Sequence, residues 1–145
     1  MSEDAYGKVR ASFARQAFMT TMGAALVSVA PGEVVLEVPY SEKLTQQHGF
    51  LHAGVVTALA DSACGYAAFT LMPPGHSVLS VEFKTNLLAP AKGERFRAAA
   101  RVVRAGRTLT VVTADVTAIG EGTETLVAVM QATMIALPDR PGREA

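Results

Sequence analysis

The longest apolar stretch of the chain runs from Gly54 to Leu71, where nearly every side chain is small or hydrophobic. As a helix, this stretch has no face suited to water, which predicts a helix enclosed by other structure. Asp61 lies in the middle of it. A carboxylate there must be paired, hydrogen-bonded or desolvated, at a cost of several kcal/mol in the worst case. We therefore expect the helix to form the core and Asp61 to carry chemistry.

On both sides of this helix the pattern changes to the shorter period of β-strands. Strands are predicted over residues 24–30, 34–40, 77–88, 95–105, 108–119 and 126–137. Pro39 indicates that the second strand ends at a sheet edge or in a loop. The short connectors between the later strands predict antiparallel neighbours. The pattern as a whole predicts an α+β fold, with one curved antiparallel sheet wrapped around a single helix.

The two ends of the chain differ from its middle. Residues 4–21 place apolar side chains at helical spacing, which predicts a covering helix that Gly23 terminates. The tail from Pro138 is expected to be loose. No repeat or linker divides the sequence, so residues 1–145 are predicted to form one domain.

Composition narrows the possible partners. The 145 residues include 13 basic and 13 acidic side chains and no basic run, which argues against nucleic acid and against anionic membranes. The acidic N-terminus lacks the features of a signal peptide, and a single cysteine fits a reducing compartment, so a cytoplasmic location is expected. With Asp61 at its midpoint, the apolar helix is a poor membrane span.

Several catalytic classes lack their motifs. The sequence contains no Gly-x-Ser-x-Gly elbow and no glycine-rich phosphate loop. Cys64 has no His or Asn in a nucleophile pattern and is expected to pack in the core. His48 and His52 could share a metal, with Asp61 or His76 as a further ligand, but they precede the helix and no metal site is predicted.

Three segments occur together in a characteristic order: the run His48-Gly49-Phe50-Leu51-His52-Ala53-Gly54, the run Leu59-Ala60-Asp61-Ser62-Ala63, and the strand Ser80-Val81-Glu82-Phe83 followed by Ala89-Pro90-Ala91-Lys92-Gly93. Together they resemble the PaaI-type acyl-CoA thioesterases, over about residues 22–137. The resemblance implies the hotdog fold and hydrolysis of an acyl-CoA or aroyl-CoA to a free acid and coenzyme A. No cofactor is implied, because coenzyme A is part of the substrate. The family acts on many thioesters, so the acyl group stays open.

Thioester hydrolysis requires hydrogen-bond donors for the developing oxyanion. A helix N-terminus offers unpaired N–H groups and a favourable dipole, and here Ala53 and Gly54 supply them. The reaction also requires a carboxylate, which acts as a general base on water or as a nucleophile. The resemblance assigns this task to Asp61. The general base is favoured because it needs fewer assumptions.

The resemblance implies roles for further polar residues. Gln46 stands where the family places a polar side chain against the thioester or the water, with Gln47 and His48 as alternatives. His52 is expected to hydrogen-bond the loop and shape the oxyanion turn rather than to donate a proton. Ser80 is expected to help hold the water near the carboxylate, and its alternative is an ordinary strand serine.

The segment 104–108 is predicted to be a tight hairpin. The resemblance implies that it contacts the phosphates and pantetheine arm of coenzyme A through Arg104, Gly106, Arg107 and Thr108, and arginine suits phosphate through its planar fork. The alternative is a solvated turn. The acyl pocket is expected to draw on Phe50, Tyr66, Phe69, Met72 and Leu79.

Asp61 lies eight residues beyond Ala53, or about 12 Å along one helix. That is too far for both residues to act on the same thioester carbonyl. Two antiparallel copies of the helix would bring them together, so an active site shared across an isologous homodimer is predicted. The resemblance adds that such dimers pair into tetramers. A non-catalytic protein that binds an acyl thioester or an aromatic ligand is the alternative function.

Overall fold

The computed structural model describes residues 3–143 of the chain. Its helices are α1 (Glu3–Arg15), α2 (Ala17–Met22) and α3 (Ala53–Phe69), with a short 3₁₀ turn at Glu42–Leu44. Its strands are β1 (Ala25–Ala30), β2 (Glu33–Pro39), β3 (His76–Leu87), β4 (Arg95–Ala105), β5 (Leu109–Gly120) and β6 (Thr123–Pro138). These elements confirm the predicted α+β class.

The strands form one sheet in the order β1-β2-β4-β5-β6-β3, and every neighbouring pair is antiparallel. Helix α3 packs on one face of this sheet, against β2, β3, β4, β5 and β6. The predicted curved sheet around one long helix is therefore confirmed. Strand β3 lies at a free edge of the sheet, which matters for the site described below.

The prediction that successive strands are neighbours is wrong for β3, which pairs with β6 and not with β4. The connector between β3 and β4 crosses the strand ends instead of turning back. Its first residue, Leu88, donates a backbone hydrogen bond to Val127 of β6, and its last, Glu94, donates one to Ile119 of β5. A connector with its own backbone partners can span neighbouring strands at modest cost.

Small side chains let α3 lie close to the sheet. The helix buries Ala60, Ala63 and Ala67, all fully inaccessible to solvent. The sheet buries alanines in turn, namely Ala98, Ala100, Ala114, Ala128 and Ala132. Because neither surface carries bulk here, backbone can approach backbone at the density typical of protein interiors.

The prediction of a fully enclosed α3 is wrong for one stripe of the helix. Gly54, Ala58, Asp61, Ser62 and Gly65 are exposed or half-buried and lie three or four residues apart on one face. The apolar pattern hides this stripe because its members are small. Asp61 is therefore at the margin of the core, accessible from outside.

The predicted covering helix over residues 4–21 is two helices that break at Gln16. Gln16 has φ −79° and ψ 94°, an extended conformation that ends α1 and begins α2, and Gly23 terminates α2 in the left-handed region at φ 76°. The break turns the Gln16 side chain toward α3, as described below.

The predicted loose tail is attached to the sheet over its described part. The Ser77 hydroxyl donates a hydrogen bond to the carboxylate of Asp139 and also lies 3.3 Å from the carbonyl oxygen of Arg143. A membrane-spanning helix is absent from residues 3–143, since none of the helices there is both long and apolar enough.

Candidate active site

Asp61 and Ser80 meet where α3 faces the first half of β3. The Ser80 hydroxyl donates a hydrogen bond of 2.6 Å to Oδ1 of Asp61 and also lies 3.4 Å from the sulfur of Met134. Strand β3 has a bulge at Val81, between the paired residues Ser80 and Glu82, which directs Ser80 toward the helix. One carboxylate oxygen is thus held by a side chain, while Oδ2 has no hydrogen-bond partner among residues 3–143.

The Asp61 carboxylate borders a cavity of about 240 Å³ between α1, α3 and β3. Its lining consists of Ser12, Gln16, Asp61, Ser62, Gly65, Tyr66, Val78, Leu79, Ser80 and Met134. The predicted pocket residues Tyr66 and Leu79 belong to this lining. Phe69 borders a neighbouring groove instead, and Met72 is buried in the core.

His52 caps the N-terminus of α3. Its Nδ1 accepts a hydrogen bond of 2.8 Å from the backbone N–H of Gly54, and a Cβ on Gly54 would lie only 2.9 Å from that nitrogen. Glycine is needed at position 54 for this close approach. Since Nδ1 accepts, a neutral His52 carries its proton on Nε2.

This cap changes the predicted set of free donors. The prediction that both Ala53 and Gly54 offer unpaired N–H groups is wrong for Gly54, whose N–H is held by His52. The Ala53 N–H has no partner within residues 3–143. One backbone donor at the helix start is therefore open, and it sits at the positive end of the helix dipole.

Gln46 folds the loop before α3. Its side-chain oxygen accepts hydrogen bonds from the N–H groups of His48, at 2.5 Å, and Phe50, at 3.3 Å. The amide nitrogen of Gln46 stays available, and the residue lines a second cavity of about 390 Å³ together with Ala53 and Phe50. Gln47 and His48, the alternatives to Gln46, are exposed and lie outside this lining.

The site residues of one chain thus fall into two groups. Asp61 and Ser80 line the cavity beside the middle of α3, whereas Gln46 and Ala53 line the cavity at its start. The two cavities share no lining residue. One chain therefore separates the carboxylate from the open backbone donor.

The hairpin at 104–108 is exposed along its whole length. A β-bulge lies between Val102 and Arg104, and the N–H of Gly106 donates to the carbonyl of Leu109 at 2.8 Å. A Cβ on Gly106 would lie 2.6 Å from that carbonyl oxygen, so the turn requires glycine. Arg104 and Arg107 form no ion pair with the residues that the structure describes.

The hairpin lies at the same end of the sheet as Ser80. Leu109 of β5 is paired with Ile135 of β6, which is paired in turn with Leu79 of β3. Two strand spacings amount to about 10 Å. The two arginines therefore lie at the same end of the sheet as the Asp61 cavity.

A hydrogen-bonded group that the sequence did not predict completes the Asp61 cavity. Ser62 donates to the Gln16 side-chain oxygen at 2.9 Å, and the Gln16 amide donates to the Tyr66 hydroxyl at 2.9 Å. Ser12 lies 3.4 Å from the same hydroxyl. Gln16 and Ser12 have polar positions in an ordinary helical pattern, so no signal in the sequence set them apart.

Cys64 is fully buried one turn after Asp61. Its thiol therefore packs in the core, as predicted. Burial, and then the charge of Asp61, raise the pKa of this thiol to about 12. Within residues 3–143, no three His, Cys, Asp or Glu side chains converge as a metal site would require.

Comparison with known proteins agrees with this geometry. The family model described as thioesterase superfamily matches residues 48–125. A thioesterase family protein from Silicibacter pomeroyi has a TM-score of 0.92 and 56% identity, covering 93% of this chain and 99% of its own. The 1,4-dihydroxy-2-naphthoyl-CoA hydrolase of Listeria monocytogenes is 30% identical over 79% of this chain and 90% of its own length.

The PaaI protein of E. coli shares the fold, with a TM-score of 0.83 at 20% identity over 94% of this chain and 95% of its own. The predicted family is therefore confirmed. On these matches, the chain belongs to the thioesterase superfamily and is a thioester hydrolase.

Proposed function

We propose that the protein hydrolyses acyl-CoA thioesters at sites built from two chains, with Asp61 of one chain and the start of α3 of the other. The observation that carries this proposal is the hydrogen-bonded pair Asp61 and Ser80 in a cavity that does not include Ala53, whose open backbone N–H lines a separate cavity. The name of the Listeria relative, a CoA thioester hydrolase, supports coenzyme A as the leaving group.

Asp61 acts as the general base. Ser80 fixes Oδ1, which leaves Oδ2 free to take a proton from a water molecule as that water attacks the thioester carbon. The carbonyl oxygen becomes an oxyanion, stabilised by the Ala53 N–H of the second chain and by the Gln46 amide nitrogen beside it. Collapse of the intermediate breaks the carbon–sulfur bond, and coenzyme A leaves as a thiol or thiolate.

The free edge of β3 supports the two-chain arrangement. Over 12 residues this strand pairs on one side only, and Leu79, Val81, Phe83 and Leu87 on it are 45–57% exposed. A long apolar edge strand has unpaired backbone groups that can bind a further strand. A second copy of the chain provides such a strand by two-fold symmetry.

The position of the cavities along β3 supports the same pairing. Val78, Leu79 and Ser80 near its start line the Asp61 cavity, whereas Leu87 at its end and Leu88 just after it line the Ala53 cavity. If two β3 edges pair antiparallel about a two-fold axis near their middle, the start of one strand lies opposite the end of the other. The Asp61 cavity of each chain then adjoins the Ala53 cavity of its partner.

Arg104 and Arg107 bind the phosphates of coenzyme A in this proposal. They are exposed, unpaired among the described residues and located at the Ser80 end of the sheet. The pantetheine arm is long enough to connect the reacting carbonyl with this hairpin.

The test is a panel of short, medium, long and aromatic acyl-CoAs, with released coenzyme A detected by a thiol reagent. Background from the protein is low, because its one cysteine is buried. Release well above the uncatalysed rate for at least one substrate is expected. Tight binding of panel members without release of coenzyme A from any of them would overturn the proposal and favour a ligand-binding protein.

A second measurement separates base from nucleophile. In a single turnover in ¹⁸O-labelled water with enzyme in excess, a general base leaves the label in the product acid. A nucleophilic Asp61 forms a mixed anhydride that water then cleaves at the Asp61 carbonyl, leaving the label in the protein. Label in Asp61 by mass spectrometry would therefore overturn the general-base assignment.

A further inference from the structure

We infer that Arg15 and Arg143 bind a carboxylate at the end of the acyl group remote from the thioester. The preferred substrates are then ω-carboxyacyl-CoAs, the CoA thioesters of dicarboxylic acids with one acid group left free. This inference rests on the proposed function and adds a substrate class to it. It concerns a groove that adjoins the Asp61 cavity and lies beyond the reacting atoms.

The arginine groove is a space of about 340 Å³ between the end of α1, the start of β3 and the segment after β6. Tyr66, Val78 and Leu79 line both this groove and the Asp61 cavity, so the two spaces adjoin. Arg15 and Arg143 line the groove alone. Its lining includes these two cations and no carboxylate, which favours an anionic ligand.

The side chain of Arg143 has a donor without an acceptor. Its Nη2 donates to the carbonyl of Pro138, whereas its Nε is buried and has no hydrogen-bond partner among residues 3–143. No ion pair joins this guanidinium to a carboxylate of those residues. A buried guanidinium N–H without an acceptor is costly, and a ligand carboxylate would supply both the acceptor and the countercharge.

The segment after β6 holds Arg143 beside the groove. Its backbone N–H donates to the carbonyl of Arg140 at 2.8 Å, and its own carbonyl oxygen lies 3.3 Å from the Ser77 hydroxyl. Asp139 on the same segment accepts from Ser77 and makes no ion pair with Arg143. A guanidinium held in this way loses little freedom on binding, and its planar fork matches a carboxylate.

The groove lies one acyl chain of medium length away from the reacting carbonyl. Ser77 lines the groove three residues before Ser80, or about 10 Å away along β3. Phe69 lines it eight residues beyond Asp61, or about 12 Å away along α3. An extended chain advances about 3.5 Å for every three bonds, so an acyl chain of about eight carbons reaches from Asp61 to the arginines.

The wall between the two ends suits a methylene chain. Val78 and Leu79 provide apolar side chains along it. The charge of Asp61 is about one Debye length from the remote carboxylate at 0.1 M salt, so its repulsion is largely screened. Two guanidinium groups in contact with that carboxylate attract it more strongly.

The experiment compares matched ligands with equal numbers of carbons. Non-hydrolysable thioether analogues of hexanoyl-, octanoyl- and decanoyl-CoA end in a methyl group, and those of adipyl-, suberyl- and sebacyl-CoA end in a carboxylate. Calorimetric titration measures their affinities for the wild type and for Arg143→Gln and Arg15→Gln. The ratio of affinities within a pair removes the contribution of coenzyme A.

Two further variants serve as matched controls. Arg140→Gln changes an exposed arginine on the same segment as Arg143, and Arg10→Gln changes an exposed arginine on the same helix as Arg15. Neither residue lines the groove or the Asp61 cavity. Arg15→Gln leaves the segment after β6 unchanged, so it tests the groove even where Arg143→Gln loses structure.

The wild type and both controls are expected to bind the suberyl analogue about 10-fold more tightly than the octanoyl analogue. In Arg143→Gln and Arg15→Gln this ratio is expected to fall toward one, and added salt should lower it in the wild type. A wild-type ratio of one or less in every pair, a ratio kept in either variant, or no binding of any analogue would overturn the inference. Selective binding without turnover of the corresponding thioesters would instead overturn the proposed hydrolysis of acyl-CoA and leave the inference standing.

Discussion

The Ser80 hydroxyl donates a 2.6 Å hydrogen bond to Oδ1 of Asp61, across the gap between the edge strand of the sheet and its central helix. The bond fixes the orientation of a carboxylate that is otherwise half-exposed. The other oxygen, Oδ2, has no hydrogen-bond partner among residues 3–143, and Asp61 lines the cavity between α1, α3 and β3.

Asp61→Asn keeps the shape of the side chain and removes its basicity. We expect kcat to fall by about 10²–10⁴-fold, the usual contribution of a general base. Circular dichroism and ligand affinity should stay near those of the wild type. Asp115→Asn, an exposed carboxamide substitution on β5, is the control and should keep its activity. Wild-type turnover by Asp61→Asn would contradict the assigned role.

Mixing two inactive variants tests the shared site. Ala53→Pro removes the open N–H at the first position of α3, where proline is tolerated, and Asp61→Ala removes the base. A heterodimer of the two has one wholly intact site. After exchange of subunits, confirmed by native mass spectrometry, activity should recover to about a quarter of the wild-type value. No recovery despite proven heterodimers would show that each site lies within one chain.

The free edge of β3 predicts how the dimer can be separated. Val81→Lys introduces a charge at the bulge of this strand, and we expect sedimentation velocity to show monomers together with a loss of activity. Val27→Lys on the opposite edge strand, β1, is a matched control, because Val27 and Val81 are 53% and 54% exposed. That variant should retain the dimer, or the tetramer built from dimers. Dimers of unaltered stability in Val81→Lys would argue for another interface.

Replacing both Arg104 and Arg107 with alanine should raise KM for acyl-CoA severalfold and weaken its dependence on salt, since two phosphate contacts are lost. A truncated thioester without the nucleotide should be affected little. Arg101→Ala, an exposed substitution on the same strand, serves as the control. Equal losses on both substrates would indicate a damaged hairpin instead of a lost phosphate site.

Cys64 predicts a pH effect on stability. Its thiol pKa is raised by burial, and by the charge of Asp61, from an ordinary value of 9.0 to about 12. The unfolded thiol therefore ionises first, and stability is full below about pH 9 and declines as the pH rises toward 12. The decline due to this group is about 1.4 kcal/mol per pH unit.

Urea unfolding of the wild type and Cys64→Ala at several pH values measures this contribution. The variant should be less stable at neutral pH, because a buried side chain is shortened. Its stability should decline less steeply above about pH 9. Parallel curves would show that Cys64 ionises equally in the folded and unfolded states.

The sequence predicts most elements of the fold, and its errors have physical causes. The strands have alternating or continuous apolar residues because they pack against α3. The predicted strand bounds therefore agree with those in the structure to within a few residues. The pairing of β3 with β6 requires the segment between β3 and β4 to cross the strand ends, where its backbone hydrogen bonds hold it. The composition of this segment does not reveal those hydrogen bonds. The break at Gln16 is equally hidden, because a contact with Ser62 and Tyr66 overrides the helical pattern.

The candidate site likewise has residues that the sequence predicts and contacts that it does not. Asp61 stands out because a charge in an apolar helix is conspicuous, and its partner Ser80 follows from the family resemblance. The capping of Gly54 by His52 depends on the orientation of one imidazole ring, which no spacing rule provides. The sequence also does not predict the hydrogen-bonded group around Gln16 and Tyr66, because its members come from α1, α3 and the break after α1.

The bulge at Val81 makes the length of β3 a functional constraint. Before the bulge, Ser80 faces α3; after it, Phe83 and Leu87 face the helix side, opposite Ala132 and Ala128, while Glu82 and Lys84 face outward. Deleting one residue here would cancel the switch and force a choice between losing Ser80 from Asp61 and burying two charges. Single-residue insertions and deletions in this strand should therefore be selected against far more strongly than substitutions at the same positions.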